Sequence, residues 1–329
     1  MSRPRWISCG LAAAAPGCLA ALALPSGARA QDAAQAPVET PSEQASKELA
    51  TTADTAAPDD TNADAGASTK VPLWSLAVSG GVSTRDDGPD GTWQSLALSR
   101  RIGRGYVRAS AMRYNGTLIQ ANTALPSNYY IATISAGGNF DNWVTDGWVS
   151  YGRQDYGRIT TESGSRESTG STSSPYFAIG GDFGRVVPLA SDWYLTPTVA
   201  TSYAHGKLLR TAPQDSGLTD LETSEPTVTA SATIRLDHAF GASNNHYVGL
   251  LASRHWSSNG LSQVRVDELD GDTPVSLRSV HRPDGWFEMG ATGSMEVLPR
   301  LNLDLYATRS FGVVAGDTTA GGLSLRVAF

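Results

Sequence analysis

The sequence predicts an all-β protein: a transmembrane antiparallel up-and-down β-barrel of about twelve strands, preceded by a signal peptide and a disordered linker. Three observations carry this prediction. The first thirty residues are typical of an export signal, apolar and polar residues alternate from residue 71 to residue 329, and the connections between the alternating segments are short and long in turn. Charged residues make up only 17% of the chain, and glycine occurs 34 times, as barrel strands with one oily face allow.

The signal peptide is predicted over residues 1–30. Arg3 and Arg5 precede a mostly apolar stretch over 7–24, and the Ala-Arg-Ala tripeptide at 28–30 supplies the small-x-small cleavage pattern. The alternative is lipidation at Cys18. Because both cysteines of the chain lie in this segment, cleavage leaves a mature chain without thiols, disulfides or cysteine metal sites.

Residues 31–70 are predicted to be a disordered acidic linker of Ala, Thr, Asp and Pro. This stretch holds eight acidic residues and two lysines, with few large apolar residues that could offset the entropy of ordering. The whole chain carries −7, the first thirty residues +3 and the linker −6, which leaves −4 for residues 71–329. The sequence therefore shows no basic excess of the kind that binds nucleic acid.

The barrel is predicted over residues 71–329, where the dominant period is two. Thr227 to Leu236 shows it clearly, with apolar residues at even positions and polar residues at odd positions. Reading the whole region in this way gives twelve candidate strands, at 73–84, 91–102, 105–114, 128–138, 142–153, 175–187, 192–204, 226–239, 245–257, 284–297, 301–311 and 319–329. The alternation is weak at 105–114, 128–138 and 245–257.

The connections follow a parity rule. The links after even strands are short, whereas the longest links, 154–174, 205–225 and 258–283, follow odd strands. Outer-membrane barrels show this asymmetry between tight periplasmic turns and long outer loops. Aromatic residues near predicted strand ends further suggest an interfacial girdle: Trp74, Trp143, Trp193, Tyr194, Trp256 and Trp286.

The end of the chain resembles the last hairpin of autotransporter β-domains. The residues concerned are Leu-Tyr-Ala-Thr at 305–308 and Gly-Gly-Leu-Ser-Leu-Arg-Val-Ala-Phe at 321–329. The resemblance implies a twelve-stranded translocator-like barrel in the bacterial outer membrane, where about forty residues here precede the barrel in place of a large passenger. It also implies a terminal signal for the barrel-assembly machinery, formed by Leu323, Leu325, Val327 and Phe329.

One polar constellation suggests catalysis. His255, Ser257 and Asn259 are spaced to share one face of an extended strand, and a serine beside a histidine is what a lipid esterase uses. The stretch resembles the His-x-Ser-Asn signature of outer-membrane phospholipase and of lipid A deacylase barrels, with Ser258 as an extra residue. However, the apolar even positions of this strand turn His255 and Ser257 towards the lumen. A polar cluster at a loop mouth is the favoured interpretation.

Lumen-facing charges are the other candidate site. They could line a narrow pore or pair with one another inside the barrel. Nine charged residues fall on the predicted polar face: Arg101, Asp146, Asp182, Arg235, Asp237, Glu288, Glu296, Asp304 and Arg326.

The functional prediction is a non-enzymatic outer-membrane barrel with a translocation, pore or surface role. The alternatives are a small-solute diffusion channel and a lipid hydrolase using His255 and Ser257. We find no phosphate-binding glycine loop and no metal-spaced histidine cluster, so no cofactor and no metal are expected. The expected partners are outer-membrane lipid, lipopolysaccharide and the barrel-assembly machinery, with no nucleic acid.

Overall fold

The computed structural model describes residues 72–86, 90–120, 123–161, 164–212, 219–241, 245–267 and 276–329. The predicted signal peptide (1–30) and linker (31–70) lie outside the described residues. No helix long and apolar enough to cross a membrane occurs within these ranges; the regular structure in them is β-strand.

The described residues form fifteen strands. The twelve long ones and the three short ones (β6, β7 and β9) have these bounds in chain order: β1 Trp74–Arg85, β2 Gly91–Ile102, β3 Gly105–Gln120, β4 Thr123–Phe140, β5 Trp143–Tyr156, β6 Ile159–Thr161, β7 Gly164–Arg166, β8 Ser173–Arg185, β9 Val187–Pro188, β10 Trp193–Arg210, β11 Leu221–Phe240, β12 His246–Asp267, β13 Ser276–Leu298, β14 Leu301–Phe311 and β15 Thr318–Ala328.

The twelve long strands close into a ring. Each pairs antiparallel with the next long strand in sequence, and β1 pairs with β15 from Ser75↔Ala328 to Arg85↔Thr318. The prediction of a closed twelve-stranded antiparallel barrel is therefore confirmed, and the bounds of β2 and β14 are those predicted. Of the short strands, β6 and β7 form a hairpin in the link between β5 and β8, and β9 pairs with β10.

Tight turns gather at one end of the barrel, which we call the turn end, and the opposite end is the loop end. Gly103-Arg104 joins β2 to β3, with Gly103 at a φ of 60°. Asp141-Asn142 joins β4 to β5, with φ values of 54° and 69°. Two consecutive positive φ values define the type I′ turn, whose twist matches that of the strands it joins.

The outward face is apolar and the inward face is mixed. In β5, exposed and buried residues alternate over the first twelve positions, and β3, β4 and β12 alternate in the same way although their sequences show it weakly. Trp74, Trp143, Trp193 and Trp256 are exposed on the outside, as predicted for a girdle. The prediction is wrong for Trp286 and Tyr194, whose even positions in β13 and β10 turn them inward: Trp286 is buried and Tyr194 is half-buried.

The predicted long loops are shorter than the sequence suggests. Much of 205–225 continues β10 and β11, and much of 258–283 continues β12 and β13. These hairpins extend at the loop end beyond the apolar band. Because both of their faces are outside lipid there, they lack the apolar alternation from which the strands were predicted.

Candidate functional site: the barrel lumen

The lumen near the turn end is polar. Arg235 donates from Nε to Asp237 Oδ1 at 2.8 Å and from Nη2 to Thr292 Oγ1 at 3.1 Å. Asp304 accepts from Ser294 Oγ at 2.5 Å, and Arg326 Nη2 lies 3.4 Å from its Oδ1. Charges of opposite sign are thus paired, within β11 for Arg235–Asp237 and between β14 and β15 for Arg326–Asp304, which offsets the cost of their burial.

The remaining predicted lumen residues lie in three settings. Asp146 is buried and accepts a hydrogen bond from Tyr106. Asp182 and Glu288 are half-buried on the inner face. Arg101 is exposed at the turn-end rim, where Nε donates to the Gly103 carbonyl at 3.3 Å. Glu296 is half-buried at that rim and accepts from Asn245 Nδ2 at 2.6 Å.

The middle of the lumen is occupied by side chains that we call the aromatic layer. They come from β2, β3, β4, β5, β8, β10, β14 and β15 and are packed against one another. The buried members are Trp93, Tyr114, Tyr129, Ile131, Trp148, Tyr176, Ala178, Ala204, Tyr306 and Ala320. The layer therefore fills the lumen on the side of these eight strands.

Two glycines make room for this layer at the β1–β15 seam. Gly81 pairs with Gly322 across the seam, Trp93 flanks Gly81 on β2, and Tyr306 flanks Gly322 on β14. The two rings fold over the glycines and stack with centroids 6.2 Å apart. A Cβ on Gly322 would stand 2.7 Å from Tyr306 Cε1 and 2.8 Å from Trp93 Cζ2.

We expect Gly322→Val to destabilise the barrel by about 1–3 kcal/mol, the usual cost of overpacking a filled interior. The measurement is a urea titration of the folded barrel in detergent micelles. Gly147→Ala is the control, since a Cβ there meets nothing within 4 Å. Equal stability of both variants would contradict the packing described for the seam.

A second apolar group lies at the loop end, which we call the outer cluster. It joins residues of four long strands to two connecting segments. Its buried members are Leu125, Ile159, Leu208, Leu209, Leu261, Trp286 and Ala315. Ile159 belongs to the short β6–β7 hairpin, so the link between β5 and β8 folds over the mouth and contributes to its apolar packing.

A buried polar network centred on Glu225 lies beside the outer cluster. Glu225 is 0% exposed, and its Oε1 lies 3.1 Å from Arg210 Nη2, whose side chain is 4% exposed. Its Oε2 lies 2.9 Å from His281 Nε2. Asn259 Nδ2 and Ser279 Oγ also donate to the carboxylate, at 3.2 and 3.1 Å. The carboxylate is therefore surrounded by donors from three other strands, β10, β12 and β13.

This network is not a catalytic relay. His281 Nε2 meets both Ser279 Oγ, at 3.1 Å, and the Glu225 carboxylate. In a serine–histidine–acid relay the serine and the acid take different ring nitrogens. The arrangement is that of a structural hydrogen-bond network.

The predicted His255–Ser257–Asn259 constellation lies on the inner face, with all three side chains buried. His255 stacks on Trp286 with centroids 5.2 Å apart, and its Nε2 lies 3.9 Å from Glu288 Oε1. Ser257 Oγ accepts from the Asn259 backbone N–H at 3.2 Å. Within the described ranges no hydrogen bond joins His255 to Ser257, which is the contact that activates a serine.

A set of polar contacts, the loop clamp, fastens the mouth. Arg166 of β7 donates two hydrogen bonds to Asp220, from Nη1 at 2.6 Å and from Nη2 at 2.7 Å. The backbone N–H groups of Thr169 and Ala212 donate to the same carboxylate at 2.8 and 2.7 Å. Burial opposes ionisation of Asp220, but these donors prevail and hold the pKa of its carboxyl well below the usual range.

Sequence reasoning did not find Arg166, Arg210, Asp220, Glu225 or His281. All five lie within 154–174, 205–225 or 258–283, which the sequence suggested were loops. Their partners come from other strands, so no local spacing marks them. The sequence feature that could have pointed to them is the presence of charged residues in stretches otherwise rich in Ser and Thr.

The predicted terminal signal lies along the outside of β15. Leu323, Leu325, Val327 and Phe329 are exposed on the outward face. Phe329 also closes the seam at the turn end, because it exchanges backbone hydrogen bonds of 2.8 and 3.0 Å with Trp74.

A closed antiparallel ring of twelve strands, apolar outside and polar at one end inside, is the architecture of an outer-membrane barrel. The family model of the autotransporter beta-domain matches residues 90–308. Since this is more than half of the chain, the protein belongs to the autotransporter β-domain family. It is an integral outer-membrane protein, and its turn end corresponds to the periplasmic side.

Solved structures agree with this fold. The translocator domain of the autotransporter NalP from Neisseria meningitidis has a TM-score of 0.59 and 15% identity, over 88% of this chain and 98% of that chain. The β-domain of the Bordetella autotransporter BrkA has a TM-score of 0.56 and 14% identity, over 79% and 100%. The transport unit of AIDA-I from Escherichia coli has a TM-score of 0.53 and 13% identity, over 84% and 97%. No curated protein matches the chain.

Proposed function

We propose that the barrel exports the segment that precedes it, residues 31–70, to the cell surface and then closes over its own interior. The observation that carries the proposal is where the chain enters the barrel. β1 begins at the turn end, and Trp74 is hydrogen-bonded there to the C-terminal Phe329. The described chain, which begins at residue 72, therefore enters the barrel beside the polar part of the lumen.

The polar part of the lumen suits an acidic and hydroxyl-rich passenger. Its buried carboxylates are already paired, as in Arg235–Asp237 and Arg326–Asp304, so the wall presents charge-balanced groups rather than a strong field of one sign. A charge-balanced polar wall offers hydrogen bonds to a passing chain and its water without binding the chain tightly. The aromatic layer and the outer cluster then form the closed state after transit.

The packed side chains in the interior disfavour the diffusion-channel hypothesis. The aromatic layer occupies the middle of the lumen and the outer cluster occupies its loop end. On the side of the eight strands that carry the layer, a solute path at this height would need several buried aromatic rings to leave their packing. The lipid-hydrolase hypothesis gains no support either, because His255 and Ser257 share no hydrogen bond among the described residues.

An epitope with a protease site inserted after Ala56 tests export. We expect external protease to remove this epitope from intact cells, because the segment would lie outside the membrane. The measurement is immunoblotting of whole cells before and after protease treatment. Protection of the epitope would refute the proposal.

Two insertions calibrate that experiment. The same epitope between Asp267 and Ser276, in the loop-end link of β12 and β13, should be removed as fast as the tested one. The same epitope after Gly241, in a turn-end link, should survive. The Ala56 result can be interpreted once the loop-end epitope is removed by protease and the turn-end epitope survives.

A further inference from the structure

One part of the outward face is concave. A groove of about 910 Å³ lies on the outside of the barrel across β1 to β5 and the start of β8. Its outward-facing lining is mostly apolar and includes Val78, Leu96, Ala111, Ala132 and Tyr151. The groove therefore opens into the region that lipid acyl chains fill.

The sequence explains why the surface is hollow here. Leu96, Ala111, Ala132 and Tyr151 pair in one row across β2, β3, β4 and β5. Two alanine methyl groups form the floor, and the larger Leu96 and Tyr151 side chains form the walls. The floor spans two strands, about 5 Å apart, which is wide enough for one or two alkyl chains.

Two arginine side chains, Arg113 and Arg153, lie at one edge of the groove. The next row pairs Arg113 with Tyr130 and Tyr130 with Arg153. The Arg113 guanidinium lies 5.7 Å from the Tyr130 ring centroid, and Nη2 lies 3.4 Å from Asn128 Oδ1. Arg113 has no carboxylate partner within the described part of the chain. Arg153 pairs with Asp155 at 2.7 Å.

This edge lies at the level of the lipid headgroups. Arg113 is eight residues from the turn-end start of β3, and Arg153 is ten residues from that of β5. At about 3.3 Å per residue and a tilt of about 40°, this places them roughly 20–25 Å from the turn end. Since the apolar band of such barrels is about 25 Å tall, the arginines reach its outer border.

We propose that this groove binds one lipid A unit of lipopolysaccharide, with acyl chains on the alanine floor and phosphates on Arg113 and Arg153. Arginine binds phosphate through paired, charge-assisted hydrogen bonds. The two arginines are two strands apart, about 10 Å, which suits a lipid with two phosphates on a disaccharide rather than a single phosphodiester. The proposal is independent of export of residues 31–70.

Arg254 is the natural comparison. It also points outward near an aromatic belt, but its guanidinium packs against Trp256 and Phe287, at 5.7 and 4.5 Å from their ring centroids. It is absent from the groove lining. A general attraction between arginines and anionic lipid would involve Arg254 as much as Arg113.

Native mass spectrometry of the purified barrel, titrated in detergent with bisphosphorylated lipid A, tests the proposal. We expect the wild type to hold one lipid and Arg113→Gln/Arg153→Gln to bind it at least tenfold more weakly. Ala132→Trp fills the floor and should weaken binding although both arginines remain. Arg254→Gln should bind as the wild type does. Each variant is first checked for folding by heat-modifiable electrophoretic mobility.

A variant that should bind lipid A more tightly gives a second test of the proposal. Asp155→Asn removes the carboxylate that competes for Arg153, so binding should strengthen by about threefold or more. Undiminished binding by the double arginine variant would overturn the proposal. Equal competition by phosphatidylethanolamine or by dephosphorylated lipid A would also overturn it, because the site would then select acyl chains alone.

Discussion

Asp220→Ala is expected to release the hairpin that covers the loop-end mouth. The Asp220 side chain is 0% exposed and is held by five hydrogen bonds from Arg166, Thr169 and Ala212, whereas Arg166 is 28% exposed. Losing a charge-assisted cluster of this kind costs about 2–3 kcal/mol after allowance for the solvent around Arg166. Opening of the hairpin should become roughly 30- to 150-fold more frequent.

A single cysteine at position 159 measures this opening. Ile159 is 0% exposed in the outer cluster, so Ile159→Cys should react slowly with a water-soluble thiol reagent and much faster when Asp220→Ala is added. Glu167→Ala is the matched control, because it also removes a carboxylate, but the Arg158–Glu167 pair is 3.4 Å long and its side chains are 61% and 82% exposed. Pairs of that kind contribute little. Identical labelling rates with and without Asp220 would exclude a clamp.

The pH dependence of labelling at the cysteine in position 159 follows from the pKa of Asp220. The pKa of Asp220 is lowered in the folded protein, so its stabilisation is present above the unfolded value of 3.8 and is lost as the pH falls through the folded value. Protection of the cysteine should therefore not change between about pH 5 and pH 8. A loss of protection near pH 6 would point to a histidine instead.

Glu225→Ala is expected to cause the largest loss of stability among single substitutions in the lumen. Removing one partner of a buried ion pair typically costs about 3–5 kcal/mol. Here it also withdraws the shared acceptor of His281, Asn259 and Ser279. Urea titration in detergent micelles measures the free energy of unfolding, and a change below about 1 kcal/mol would contradict the network.

Two further variants separate charge from packing at Glu225. Glu225→Gln keeps an acceptor and should lose less stability than Glu225→Ala. Arg210→Met/Glu225→Leu replaces the pair by apolar side chains of similar volume, which is often close to neutral. If the double variant is as unstable as Glu225→Ala, the cost comes from the other donors that lose their acceptor or from shape, rather than from the unpaired guanidinium.

The barrel was predictable because lipid imposes a strict alternation on the strands that it touches. β2 and β14 have the predicted bounds, since apolar outward residues such as Leu96 and Leu305 alternate with inward residues between polar turns. β12 and β13 run ten and eight residues further than predicted at the loop end. Water surrounds the strands there, so residues such as Gln263 and Arg282 carry no alternation signal.

The interior was predictable only in part. Parity places Asp146, Arg235 and Asp304 inside, and the structure has them buried. The pairing of Arg210 with Glu225, or of Arg166 with Asp220, depends on strand register and on the path of a link, which sequence spacing does not encode. Trp286 shows the limit of composition: an aromatic near a strand end suggested the lipid interface, but its parity turns it inward.

The glycine pair at the seam bears on how the ring closes during folding. Gly81 and Gly322 are about 240 residues apart in the chain, and they meet only when the first and last strands join. In an open sheet the Trp93 indole could cover Gly81, but Gly322 and Tyr306 would lie at the far edge. The Trp93 indole is therefore fully buried only when both unpaired strand edges are lost. Its fluorescence thus reports the closure of the ring, which is the final kinetic step of folding.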